Sequence, residues 1–253
     1  MTRLLLIFSL MMAALPAWAE DVVLGLSRNS ISIDTTFDGS EILLFGAIKR
    51  EEAIPADELG VVVAIAGPSQ PLDVRRKERR LGIWVNVDAV EVDAAPSFYA
   101  VATSGPFSEV LSQVEDLRHK ISIPRAIRSV GAPGGVVDSQ SFTDAVIRIR
   151  ERSGAYKMRE GAVEVSEQTL FQTSIELPAN LTEGDYVTRI FLTREGAVVS
   201  KYETIIDVRK VGLERWLFVL SRENALLYGL MSLAIAIAAG WGASAAFRLL
   251  RQG

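Results

Sequence analysis

The chain has 253 residues, a formal charge of −4, no cysteine and a single histidine, His119. Without cysteine there are no disulfides, thiolate metal sites or cysteine nucleophiles, and the net negative charge gives no reason to expect nucleic acid or a purely electrostatic hold on anionic lipid. Hydrophobic residues make up 49% of the chain and charged ones 23%, a balance that argues against disorder and lets roughly 200 residues build a core without crosslinks.

Residues 1–19 read as a secretory signal peptide. Arg3 supplies the positive end, Leu4 to Leu15 the apolar core, and Pro16 with Ala17-Trp18-Ala19 a small-residue cleavage site before Glu20. Cleavage there leaves the mature N-terminus outside the cytoplasm.

Residues 20–105 are expected to form an N-terminal β-sandwich domain. Short apolar runs (VVLGL, EILLFGAI, VVVAIAG, GIWVNV, FYAVATS) alternate with turn residues such as Asp38-Gly39 and Gly67-Pro68, and Gly105-Pro106 closes the series. Ile42–Ile48 and Val61–Ala66 are apolar on both faces, so something must cover the outside of their sheet. In Leu81–Val87, alternation puts Leu81, Ile83, Val85 and Val87 on one face and Gly82, Trp84 and Asn86 on the other.

Residues 106–153 predict a helical connector. Phe107, Val110, Leu111, Val114 and Leu117 fall at helical spacing, and a second amphipathic stretch carries Phe142, Ala145, Val146 and Ile149. Pro124 and the run Gly131-Ala132-Pro133-Gly134-Gly135 separate them. One or both helices are expected to pack between the two β regions.

A second β module spans residues 154–211. Tyr186, Thr188, Ile190 and Leu192 share a strand face, Arg194-Glu195-Gly196 turns, and Val198–Val208 returns with Lys201, Glu203 and Asp207 outward. Gly184-Asp185-Tyr186 suggests the tyrosine corner of immunoglobulin-like sandwiches. At about 55 residues the module is small for its own core and is expected to lean on the first domain. The fold class is therefore mainly β: immunoglobulin-like antiparallel sandwich regions, two amphipathic helices between them, and one C-terminal transmembrane helix.

Residues 212–224 form a juxtamembrane segment whose Trp216 and Phe218 suit the bilayer interface. From Ala225 to Phe247 no residue is charged. A helix of that length is about 34 Å long and spans a ~30 Å hydrocarbon core. Residues 248–253, with Arg248 and Arg251, then make a cytoplasmic tail. Arg215 and Arg222 on the other flank weaken that charge argument, so orientation rests on the signal peptide. The expected location is the inner membrane, single-pass, with the N-terminal domain periplasmic. Within the span, Ser232, Ala236, Gly240 and Ser244 recur every fourth residue. That pattern fits either close helix–helix packing, including self-association, or a merely Ala-rich helix.

The densest charge cluster is Arg75, Arg76, Lys77, Arg79 and Arg80 around Glu78. Three readings fit it: a solvated loop paired with the domain's own acids (Glu51, Glu52, Asp57, Glu58), a surface that docks a protein or lipid headgroups, or a site for a small oxyanion or acidic ligand. Trp84 and Asn86 follow at once, Trp84 either as core under a covering helix or as part of a binding surface. His119, between Arg118 and Lys120, reads as a cation compensating a helix C-terminus. With one His and no Cys no metal site is expected, and no nucleophile-elbow, zinc-protease or nucleotide-loop motif occurs. The expectation is a non-enzymatic, cofactor-free accessory protein.

The pattern also resembles a family of alphaproteobacterial transmembrane proteins. The matching features are Phe37-Asp38-Gly39, Leu44-Phe45-Gly46-Ala47, Gly67-Pro68, Val74-Arg75-Arg76-Lys77-Glu78-Arg79 and Gly82-Ile83-Trp84-Val85-Asn86. They continue with Pro96-Ser97-Phe98-Tyr99, Leu177-Pro178, Gly184-Asp185-Tyr186, Lys210-Val211-Gly212, Tyr228-Gly229 and Gly240-Trp241, so nearly the whole mature chain is covered. The resemblance carries over no catalytic residue. It implies a membrane-protein partner, a permease of the sulfite-exporter type.

Overall fold

The computed structural model describes residues 20–33, 37–50, 54–55, 57–129, 138, 140–211 and 213–252. The expected signal peptide, Glu51 and Glu52, and the glycine-rich run 131–135 lie outside them. In chain order the first strands are β1 (Glu20–Leu26), β2 (Ser30–Ile33), β3 (Gly39–Arg50), β4 (Leu59–Ala66), β5 (Ser69–Arg80), β6 (Ile83–Pro96) and β7 (Tyr99–Thr103). Helices α1 (Phe107–Val110), α2 (Gln113–His119), α3 (Ile123–Ala126) and α4 (Gln140–Arg152) follow. Strands β8 (Tyr156–Arg159), β9 (Glu164–Ser166), β10 (Leu170–Pro178), β11 (Gly184–Arg194) and β12 (Ala197–Lys210) precede helices α5 (Leu213–Glu223) and α6 (Ala225–Gln252). The protein is mainly β, as expected.

Two sheets form the body. One runs β1-β3-β10-β9 and the other β2-β12-β11-β4-β7-β8. The strands before and after the helices share both: β10 pairs with β3 from Leu170↔Ala47 to Pro178↔Gly39, and β11 with β4 from Val187↔Ala66 to Arg194↔Leu59. The short C-terminal β region thus completes its ladders and its core with strands from the N-terminal one, and Asp38–Val208 belongs to a single compact unit.

Alternation explains the inner core. Ile42, Leu44, Phe171, Ile175 and Leu177 are buried on one face of the four-stranded sheet, and Val61, Val63, Ile65, Ile190 and Leu192 on one face of the six-stranded sheet. Gly46 lies under the Phe171 ring, where an added Cβ would come within 2.4 Å of it. At the entry to β11, the buried Tyr186 donates its hydroxyl to Thr182 O at 2.9 Å, the bond that defines a tyrosine corner. Glu195 and Gly196, at φ +48° and +77°, form the tight β11–β12 turn.

The helices lie between the two β regions in the chain, and α4 touches β5 of the first and β8 of the second. They cover the outer face of the six-stranded sheet, where Val62, Ala64, Tyr99, Val101 and Phe191 join Val110, Leu111, Ile121, Ile123, Ile127 and Val146 in one cluster. This is the cover that the two-sided apolar pattern of β4 requires. The first amphipathic stretch also differs from a continuous helix. Leu111 is extended (φ −140°, ψ 126°), and Ser112 donates its amide to Gly196 O of the β11–β12 turn before capping α2. The break shifts the helical phase, so Val114 and Leu117 face solvent while Glu115 and Asp116 are buried. On α4 the expected Phe142 and Val146 are buried, but Ile149 is exposed.

Arg209–Gly253 belongs to a second unit. In α5, Trp216 and Phe218 are exposed, and Arg222 lies 5.2 Å from the Phe218 ring centre. The helix bonding runs on through Asn224, whose carbonyl accepts from Tyr228 N at 3.0 Å. In α6 the 20-residue stretch Ala225–Ser244 is long and apolar enough to cross a membrane, and none of it is buried by the rest of the chain. The core helix of a soluble protein is covered by its own chain; this helix is covered by nothing among the described residues.

Candidate functional site

The basic cluster is a strand. Strands β5 and β6 form a long antiparallel hairpin from Ser69↔Pro96 to Arg80↔Ile83, turned by Leu81 and Gly82 at φ +50° and +86°. Leu81 therefore sits in the turn rather than on a strand face. At the base, Leu72, Val74, Val90 and Val92 pack into the cluster under the helices. Toward the tip a register shift between Arg76 and Lys77 takes the pairing from Arg76↔Asp88 to Lys77↔Asn86, which leaves Val87 as the bulged residue.

Alternation along β5 sorts the five cations. Leu72, Val74, Arg76, Glu78 and Arg80 share one face, and Asp73, Arg75, Lys77 and Arg79 the other. Arg76 donates to Ser141 Oγ at 2.7 Å, lies 3.6 Å from Asp88 and 3.8 Å from Asp138, and stacks 4.6 Å from the Phe142 ring centre. It pins the hairpin to the start of α4. Arg80 pairs with Glu78 at 3.3 Å. Arg75, Lys77 and Arg79 make no ion pair among the described residues. Trp84 stands across from Arg79, and Asn86 across from Lys77, on that same outer face. Trp84 is 69% exposed, Ile83 64%, and Leu81 fully exposed, so the tip contributes nothing to the core. The partners of the tied arginines are Asp88, Asp138 and Glu78. Of the acids expected to neutralise the cluster, the two described ones, Asp57 and Glu58, do not take part: Asp57 instead offers its carbonyl to Arg194.

A second polar grouping was invisible to helical periodicity. Asp116 accepts from Ile121 N (3.1 Å), Ser122 N (2.7 Å) and Ser122 Oγ (2.8 Å), and Arg125 lies 3.4 Å away. Glu115 bonds Arg118 at 2.6 Å, and its other oxygen lies 3.3 Å from His119 Nε2. Arg189 of β11 reaches over to donate to His119 O at 2.7 Å and to the Tyr99 hydroxyl at 2.9 Å, and Tyr99 donates to Ile121 O at 2.7 Å. The helix C-terminus is thus met by Arg189, while the His119 ring turns to Glu115 and to the Phe191 ring, 5.3 Å away between centres. Burial pushes the Tyr99 hydroxyl up to about 12, with Arg189 opposing, and burial likewise raises Tyr156 to about 12. The contacts of Asp116, Arg189 and Tyr99 hold the turn after α2, those of Glu115 lie within α2, and the grouping reads as structural.

The outer face of the four-stranded sheet is open. The register lines up Val23, Ala47 and Leu170 in one row and Gly25, Phe45 and Gln172 in the next, with Leu43 beyond. The Phe45 ring lies over Gly25, where a Cβ would come within 2.4 Å of it. Val23, Phe45 and Leu170, 47–57% exposed, line an open depression of about 580 Å³, and Leu43 is exposed beyond it. Gln172 bonded to Glu164 at 2.7 Å, and Glu41 bonded to Ser174, give the patch a polar rim. On α6, Ser232, Ala236, Gly240 and Ser244 are exposed, and a Cβ on Gly240 would meet nothing within 4 Å.

These features define a β-rich protein with, among the described residues, one C-terminal helix able to span a bilayer. Comparison with protein families matches residues 21–249 to the family described as "Putative transmembrane protein (Alph_Pro_TM)". The chain belongs to that family, in agreement with the resemblance read from its motifs. Comparison with curated proteins finds no match.

Proposed function

We propose that this protein is a non-enzymatic accessory protein of the inner membrane, held by α6 with its β-rich domain in the periplasm, where the domain docks a membrane-protein partner of the permease class. The observation that carries the reading is the open face of the four-stranded sheet. A contiguous apolar patch with a hydrogen-bonded polar rim is the anatomy of an interface, not of a solvated surface. The outward-facing Leu43 and Phe45 of β3, 43% and 47% exposed, cost solubility, while the core of this strand is built by Ile42, Leu44 and Ile48 on its other face.

A photo-crosslinker placed at Phe45, followed by extraction of native membranes in mild detergent, is expected to trap one membrane-protein partner. Recovery of the protein as an uncrosslinked monomer would overturn the reading. The layout has its own test. A reporter that fluoresces only in the cytosol, fused after Gly253, is expected to glow, and a dark fusion paired with an active periplasm-only reporter would reverse the orientation.

A further inference from the structure

We propose that the β5–β6 hairpin tip is an interfacial foot that inserts into the headgroup layer of an anionic phospholipid bilayer, with Leu81, Ile83 and Trp84 as the wedge and Arg75, Lys77 and Arg79 as the headgroup contacts. The inference is independent of the docking face on the other sheet.

Three observations converge on it. The first is the turn. A two-residue turn with both φ angles positive favours Asn-Gly or Asp-Gly, and a left-handed leucine is uncommon. Leu81 at φ +50° is therefore a poor choice for the backbone, and at full exposure a poor choice for water as well. Folding gains nothing from it, whereas an apolar medium beyond the tip would. The second is the side chain beside it. Trp84 and Ile83 are also exposed, and indole rings prefer the boundary between headgroups and acyl chains.

The third is charge. Arg75, Lys77 and Arg79 stand on one strand face at about 6.7 Å spacing, the two-residue repeat of a strand. Arg76 and Arg80 on the opposite face are neutralised by the chain's own acids, while these three are left for an outside anion. All three are exposed along an extended strand, which arranges them as a row rather than as converging donors around a small oxyanion. A two-residue tip is also too narrow for a protein interface, which needs about 800 Å² on each partner. An extended field of anionic headgroups fits both the apolar wedge and the linear row of cations. The chain is itself a membrane protein, so a bilayer is always at hand.

The cysteine-free sequence makes the test clean. The full-length Leu81→Cys chain, labelled with an environment-sensitive NBD dye, is reconstituted into vesicles of phosphatidylcholine alone or with 30% phosphatidylglycerol. In the anionic vesicles the dye emission is expected to shift to the blue and to be quenched by nitroxides carried on the lipid. In neutral vesicles, or in the Arg75→Gln/Lys77→Gln/Arg79→Gln variant, the insertion equilibrium is expected to fall roughly 5-fold per charge removed. That variant relieves like-charge repulsion, so its fold is safe. The same dye at Glu160→Cys, on an exposed turn, is expected to stay in water. Three results would overturn the proposal: water-like emission at position 81 in anionic vesicles, a blue shift without lipid quenching (contact with protein instead), or equal quenching at position 160.

Discussion

The outer faces of the two sheets begin from the same sequence signature and end differently. Strands β3 and β4 are both apolar on both sides, yet the outer face of β4 is sealed under α1 to α4 and the hairpin base, while that of β3 stands open around Phe45. A double-sided apolar strand therefore does not say by itself whether the chain covers its second face. On one sheet the cover is intramolecular and contributes to stability. On the other the apolar surface stays exposed among the described residues.

The sharpest way to break this comparison is to cut each side in turn and measure unfolding of the full-length protein by denaturant. Phe171→Ala, facing inward beneath Gly46, is expected to cost about 3–5 kcal/mol, because the ring is 2% exposed and its loss leaves a cavity. Ile121→Ala, fully buried under the helical cover, is expected to cost about 3 kcal/mol. A much smaller loss there would mean that the cover is loose and that the two outer faces differ less than they look.

Alkaline titration tests the same cover without mutation. Tyr99 and Tyr156 sit under it with folded pKa values of about 12 against an ordinary 10, because burial disfavours the phenolate. A folded value above the unfolded one means that this stabilisation is complete below pH 10 and is lost as pH rises through 12. The expected loss is on the order of 2 kcal/mol for Tyr99 and smaller for Tyr156, which solvent screens more, read as a fall in the denaturant midpoint between those limits. A midpoint that stays flat to pH 12 would show that water already reaches both hydroxyls.

The smallest effect is expected on the open face. Phe45→Ser should change stability by no more than about 1 kcal/mol, since the ring is 47% exposed, yet abolish crosslinking to a partner from neighbouring positions. A cost equal to that of Phe171→Ala would show that the chain itself covers this face.

Much of this was legible beforehand, for particular reasons. The uncharged run that begins at Ala225 is read by length alone, because lipid demands a helix of that span. The period-2 pattern of Tyr186, Thr188, Ile190 and Leu192 and the turn at Glu195-Gly196 are set by nearest neighbours. The phase of α2 was not legible. Its reversal depends on Ser112 leaving the helix to bond Gly196, a residue far along the chain. Nor did the basic cluster reveal which arginine was tied, since Asp138 and Ser141, which hold Arg76, lie within the helical connector, Ser141 being 65 residues further along the chain.

By itself the sequence determined the β-rich body, the membrane-crossing helix, the tyrosine corner and the charge of the hairpin, because each follows from local spacing, length or composition. The tertiary structure alone decided that strands from both ends of the domain alternate in the same sheets, that helices cover one apolar face and not the other, and that Arg75, Lys77 and Arg79 find no ion-pair partner among the described residues. Those outcomes rest on contacts between residues distant in the chain, and local periodicity carries no record of which distant strand will arrive beside which.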